Sequence, residues 1–182
     1  LDRLLADKPH QYDWLYHPNY TQLVPAFEAD TTPDDSPLGS STLYQSLKPV
    51  ARVTDFATLN WTRPKNTGVI QAFVQEGDMR LVQIDHTYRP HRSLVWRKEA
   101  RNASFVAAMI PWKDNAPAVR LEALEVKDAS GKVVDLTQGQ AVRLTVDDQS
   151  LIVLVNYTGQ PLQTLNHQST QRVSVLRQPA AR

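Results

Sequence analysis

The sequence predicts an all-β protein, an antiparallel β-sandwich of two large sheets with few or no long helices, and three observations predict it. Apolar and polar residues alternate with a period of two from about residue 66 to the end. Gly, Pro, Asn and Asp break that alternation about every ten residues, as turns between short strands do. No stretch of ten or more residues carries a 3.6-residue apolar period bounded by caps.

Taken in order, Leu1-Asp2-Arg3-Leu4-Leu5 reads as the middle of a strand, and the chain begins with neither an initiator Met nor a signal peptide, so a fragment is expected. Residues 10–16 read as a second strand segment. Residues 27–41, with two prolines and several acids, are expected to form an exposed and mobile loop. Thr42 to Lys48 is the best helical candidate, and it stops at Pro49. Strand-like runs follow at 69–74, 79–84, 93–96, 104–110, 119–126, 132–136, 141–146, 151–155 and 171–176. In the run 141–146, Val142, Leu144 and Val146 share one face while Arg143 and Thr145 share the other. Glu76-Gly77-Asp78, Ala129-Ser130-Gly131-Lys132 and Asn156 to Gln160 are expected to be hairpin turns. One domain, residues 1–182, is expected.

Composition removes several function classes. Twenty Lys and Arg balance 19 Asp and Glu, a net charge of +1, so nothing in the total points to a nucleic-acid partner. Apolar residues make up 41% and charged ones 21%, a globular composition. The absence of Cys removes disulfides, thiolate zinc sites and cysteine nucleophiles. No apolar run approaches the roughly 18 residues of a spanning helix, so no membrane partner is expected. There is no G-x-S-x-G, H-E-x-x-H, phosphate-binding loop or dinucleotide fingerprint.

Two segments hold chemistry-bearing side chains. In the strand at residues 10–16, His10, Tyr12, Trp14 and Tyr16 share one face, and Gln11, Asp13 and Leu15, with His17 beyond them, share the other. A row of aromatics suits sugar stacking, or equally a buried seam of the sandwich. His17 falls at the strand's end. The second segment is Asp85 to Arg92, where Asp85, His86 and His91 have imidazole and carboxylate donors but no recognised metal-ligand spacing, so no metal is assigned. Arg89 and Arg92 give it positive charge that could meet a carboxylate or sulfate. The pairs Asp34-Asp35 and Asp147-Asp148 are expected to be solvated charges, and four Asn-x-Ser/Thr sequons stand at Asn19, Asn60, Asn102 and Asn156 without establishing glycosylation.

The run from Leu1 through Tyr12-Asp13-Trp14-Leu15-Tyr16-His17 resembles the heparinase II/III-like family of polysaccharide lyases, which includes oligoalginate lyases. The run Ser93-Leu94-Val95-Trp96 to Phe105-Val106-Ala107-Ala108-Met109-Ile110-Pro111 is similar to paired strands of the same region. The resemblance implies the C-terminal β-sandwich of such a lyase, packed against an N-terminal (α/α) toroid, with an acidic polysaccharide between them cleaved by β-elimination at a uronate. It implies a periplasmic or secreted protein, a catalytic Tyr on the toroid, and a divalent metal such as zinc in the full-length protein, with no cofactor in this chain. No catalytic residue carries over to this sequence, and residues 1–182 alone are expected to be inactive. Tyr12, Trp14, Tyr16, His17, Arg89 and Arg92 are the candidate substrate contacts. The alternative is a non-catalytic carbohydrate-binding or supporting sandwich.

Overall fold

The computed structural model describes residues 2–16, 24–26, 31–39, 47–53, 58–63, 65–74, 77–84 and 91–178. Among them lie sixteen strands and no helix. Numbered in chain order, five form sheet A in the spatial order β1 (Asp2–Tyr16), β8 (His91–Phe105), β7 (Asp78–Ile84), β4 (Leu47–Val53) and β3 (Thr31–Pro33). Sheet B runs β2 (Val24–Ala26), β5 (Thr58–Arg63), β6 (Thr67–Phe73) and β9 (Ala107–Lys113). Sheet C runs β10 (Val119–Leu124), β12 (Gly139–Val146), β13 (Gln149–Asn156) and β16 (Val173–Gln178). Sheet D holds β11 (Lys127–Asp128), β14 (Leu162–Thr164) and β15 (His167–Ser169). Every pairing is antiparallel.

Sheets A and B face one another across one core. Val53, Met79, Leu81, Leu94, Trp96 and Phe105 from sheet A meet Leu59, Trp61 and Phe73 from sheet B. The period-two pattern explains why: Met79 and Leu81 project inward while Asp78, Arg80 and Val82 project outward. Inside this core Gln71 is fully buried and its amide oxygen accepts the Trp61 indole N–H at 2.6 Å. Sheets C and D enclose a second, smaller core of Val126, Ala141, Leu154 and Leu162. The expected antiparallel β-sandwich fold is borne out, and because the two clusters have no residue in common its strands divide into a larger A–B sandwich and a smaller C–D sandwich. The division has a local cause. Between β9 and β10, Asp114 stands at φ 68° and Pro117 removes an N–H, and neither suits a continuous strand.

The turns differ from expectation in what they join. Glu76 lies outside the described residues, but Gly77, at φ 105°, precedes β7, and because β6 and β7 belong to different sheets they are not joined as a hairpin. Asn156 to Gln160 likewise carries the chain from sheet C to sheet D. Asn156 is 2% exposed and organises that turn: its amide oxygen accepts the N–H of Thr158 and Gly159, and its amide nitrogen donates to Gln160 O. A sequon side chain so placed has no room for a glycan. The expected strand at 132–136 reduces to one bridge between Lys127 and Val133. Asp147-Asp148 is the two-residue hairpin between β12 and β13, with Asp147 at φ 51°. Most of the helical candidate 42–48 lies outside the described residues, and Leu47 and Lys48 open β4.

Within 27–41, Thr31–Pro33 form β3 and Leu38 is 5% exposed, so this stretch is only in part the exposed loop expected. Leu38 packs on Leu47, Val82, Val95 and Leu15, on the outer face of sheet A. Part of the outer face of sheet A, around Val82 and Val95, is therefore covered as well.

Gly68 lets β6 approach its neighbours closely. A Cβ there would collide with Trp61 O and the Trp112 ring, whose indole N–H is already committed to Asn60 Oδ1 at 3.0 Å. Gly68→Ala is expected to destabilise by about 1–3 kcal/mol through overpacking, read as a lowered urea midpoint with unchanged slope. An unchanged midpoint would show that the Trp112 ring swings clear.

Candidate functional site

The aromatic row faces into the first sandwich. Trp14 is half-buried, edge-on to Phe73 and to Trp96 with centroids 6.3 Å away in each case, and stacked with Tyr16 at 6.0 Å. Tyr16 reaches Trp61 at 5.9 Å. Tyr12 packs at the edge of the same cluster, and its hydroxyl donates to Arg101 O at 3.2 Å. The row is thus a seam against the core, the second of the two roles its residue types allow. His17 and Arg89 lie outside the described residues, as do Asp85 and His86. Arg92 and His91 stand at the start of β8, opposite Gln83 and Ile84. The structure brings Tyr12, Trp14 and Tyr16 together.

The opposite face of β1 carries a pattern the sequence did not single out. Asp13 accepts two bonds from Arg97, from Nε at 2.7 Å and from a terminal nitrogen at 2.8 Å, a bidentate pair with side chains 12% and 17% exposed. The other terminal nitrogen of Arg97 donates to Leu38 O at 2.6 Å. Further along the sheet, Arg80 meets Asp78 at 2.9 Å and Asp34 at 3.1 Å, and Arg52 meets Asp34 at 3.2 Å and Asp78 at 3.3 Å. Three arginines and three aspartates on neighbouring outward positions neutralise one another and hold residues 34–38 down on the sheet. One signal was available: Asp13 and Leu15, Asp78, Arg80 and Val82, and Val95 and Arg97 are each two residues apart.

Asp34 anchors residues 34–38 to the sheet. The Ser36 hydroxyl bond first, then the Ser36 backbone N–H, then the Arg80 and Arg52 guanidiniums, hold its carboxyl below the ordinary value of 3.8, against the opposing effect of burial. A carboxyl depressed on folding adds stability that is complete above its unfolded value and is lost as pH falls through the folded one. Asp34→Asn is therefore expected to flatten part of the loss of thermal stability below about pH 4. Asp128 and Asp135, held low chiefly by the hydroxyls of Ser130 and Thr137, account for other parts of that loss. A pH profile unchanged by Asp34→Asn would remove Asp34 from the account.

A cleft of about 410 Å³ opens between the two sandwiches. The end of β8 supplies Lys98, Glu99, Asn102 and Ser104 on one side, and Glu125, Gln140 and the apolar Leu124, Val126, Val134 and Val142 line the other. Lys98 donates to Ser104 O at 2.7 Å and lies over the Trp96 ring at 4.9 Å. Among the described residues no three His, Cys, Asp or Glu side chains converge as metal ligands, so they do not assemble the donor set of a zinc ion. Among the same residues no helix is long and apolar enough to cross a membrane. No protein-family model matches the chain, and no curated protein matches it.

Proposed function

We propose that this chain is the β-sandwich part of a heparinase II/III-like polysaccharide lyase that cleaves uronate-containing glycans by β-elimination, in which it acts as the supporting layer. One observation carries the proposal. The two runs that resemble the family, around residues 12–16 and 93–97, lie about eighty residues apart in the chain, yet they pair directly as β1 and β8, with Trp14 opposite Trp96 and Asp13 opposite Arg97. Residues distant in sequence thus combine into one structural unit.

The supporting role is favoured over direct sugar stacking by the packing of Trp14 and Tyr16 on the sandwich core. In this proposal the base that takes the proton at C5 and the group that neutralises the uronate carboxylate belong to the toroid, and the sandwich fixes the wall against which the sugar is held. His17, Arg89 and Arg92 are kept as the proposed contacts to the acidic chain. The protein would act in the periplasm or outside the cell.

The test is ultraviolet absorbance of the unsaturated uronate product on alginate and heparan oligosaccharides. Product is expected from the intact polypeptide that carries this chain, and none from residues 1–182 alone. Product from residues 1–182 alone, or none from the intact polypeptide on any uronate glycan, overturns the proposal.

A further inference from the structure

The two sandwiches are joined by a short linker whose ends are pinned to different bodies. At its start the Asp114 N–H donates to Asn66 O at 2.6 Å, which fixes it to the β5–β6 turn of the first sandwich. At its end Ala118 exchanges two bonds with Asp147 of the second, Ala118 N to Asp147 Oδ1 at 2.9 Å and Asp147 N to Ala118 O at 2.8 Å. Between these anchors lie Asn115, whose N–H turns back to Lys113 O, and then Ala116 and Pro117.

A second junction stands at the far end of sheet C. The Arg3 guanidinium lies 3.6 Å above the centre of the Tyr157 ring and donates to Thr137 O at 2.9 Å. Beside it the Ser104 hydroxyl donates to Gln140 Oε1, and Gln140 Nε2 reaches the Tyr157 hydroxyl at 3.4 Å. Burial pushes the Tyr157 hydroxyl up, so the ring is neutral over the ordinary pH range and the contact is a stack and not an ion pair. Asp147 and Tyr157 flank opposite ends of β13, whose eight residues span about 24 Å at about 3.4 Å each.

We propose that the second sandwich pivots on Ala116 and Pro117 against the first, that the Arg3–Tyr157 stack is the latch that holds it closed, and that release of the latch widens the cleft between them. Three features make the motion cheap. The two cores have no buried residue in common, and β6 and β10, which lie against one another across the junction, stay in contact near the pivot. The contacts at the latch are polar or stacked, and such interfaces between bodies permit relative motion where a large apolar one would not. The cleft lies at the latch end, lined by Gly139, Gln140, Ala141 and Val142, where a rotation about the linker produces its greatest displacement. Pro117 also limits the backbone angles at the pivot and at Ala116, so the swing has a direction.

The absence of Cys makes a clean test possible. Spin labels at Glu99→Cys and Glu125→Cys stand on the two lips of the cleft, and pulsed dipolar spectroscopy reads their separation. The parent is expected to give one narrow distance population. Arg3→Ala and Tyr157→Leu are each expected to add a longer one, with faster proteolytic cutting at 115–117. Tyr157→Phe keeps the ring and should match the parent. Unchanged distances in both Arg3→Ala and Tyr157→Leu overturn the proposal. So does cooperative loss of the near-ultraviolet circular dichroism of both sandwiches on Arg3→Ala, because that would make the stack part of one shared core.

Discussion

Trp96→Ala is expected to cost about 3–5 kcal/mol, a large fraction of a typical net stability of about 5–15 kcal/mol, and to lower the urea midpoint of the first sandwich sharply. Trp96 is fully buried at the centre of the aromatic cluster, with ring centroids 5.1 Å from Phe105, 5.4 Å from Phe73 and 6.3 Å from Trp14, all near perpendicular. Edge-to-face geometry adds to the area each ring buries, and the cavity left by alanine would be walled by rigid rings that cannot collapse into it. Urea unfolding followed by far-ultraviolet circular dichroism measures the loss. A penalty under about 1 kcal/mol would mean that the rings repack, and the cluster would then not be the keystone of the sheet A–sheet B interface.

Arg97→Leu is expected to be nearly as damaging for a different reason. It removes the bidentate partner of Asp13, 12% exposed, whose Oδ2 still accepts from Gln11 Nε2 at 3.4 Å, and it frees the Leu38 carbonyl; breaking a buried pair by removing one partner costs up to about 3–5 kcal/mol. The effect belongs to the pair. Asp13→Leu with Arg97→Leu removes both charges and should recover most of the loss, because a well-packed apolar pair often replaces a buried ion pair without cost. Equal destabilisation of the single and double variants would show that the arginine stabilises by packing and by holding residues 34–38, not by neutralising Asp13.

Several elements were legible in the sequence because they depend on local pattern. Alternation marked β7, β12 and β13, and the period of two placed Tyr12, Trp14 and Tyr16 on one face and Asp13 and Leu15 on the other. Short strands such as β14 and β15 escaped notice, because three residues carry too little periodicity to read. The run 132–136 misled for the opposite reason: its apolar residues line the cleft wall without a strand to pair with along their length. Gly77 announced a turn correctly, but nothing local says whether the next strand lies beside the last or across the core from it.

The sequence by itself determined that this chain forms pleated strands with distinct faces, where many of them begin and end, and that these 182 residues contain no cysteine. Only the tertiary structure decided that the aromatic face of β1 turns inward, that Asp13 finds Arg97 84 positions away, that part of 27–41 straps the outside of sheet A, and that the buried apolar residues gather in separate clusters. The physical reason is range. A period of two follows from the geometry of a single backbone, whereas which face is covered, and by what, depends on partners brought together from remote parts of the chain.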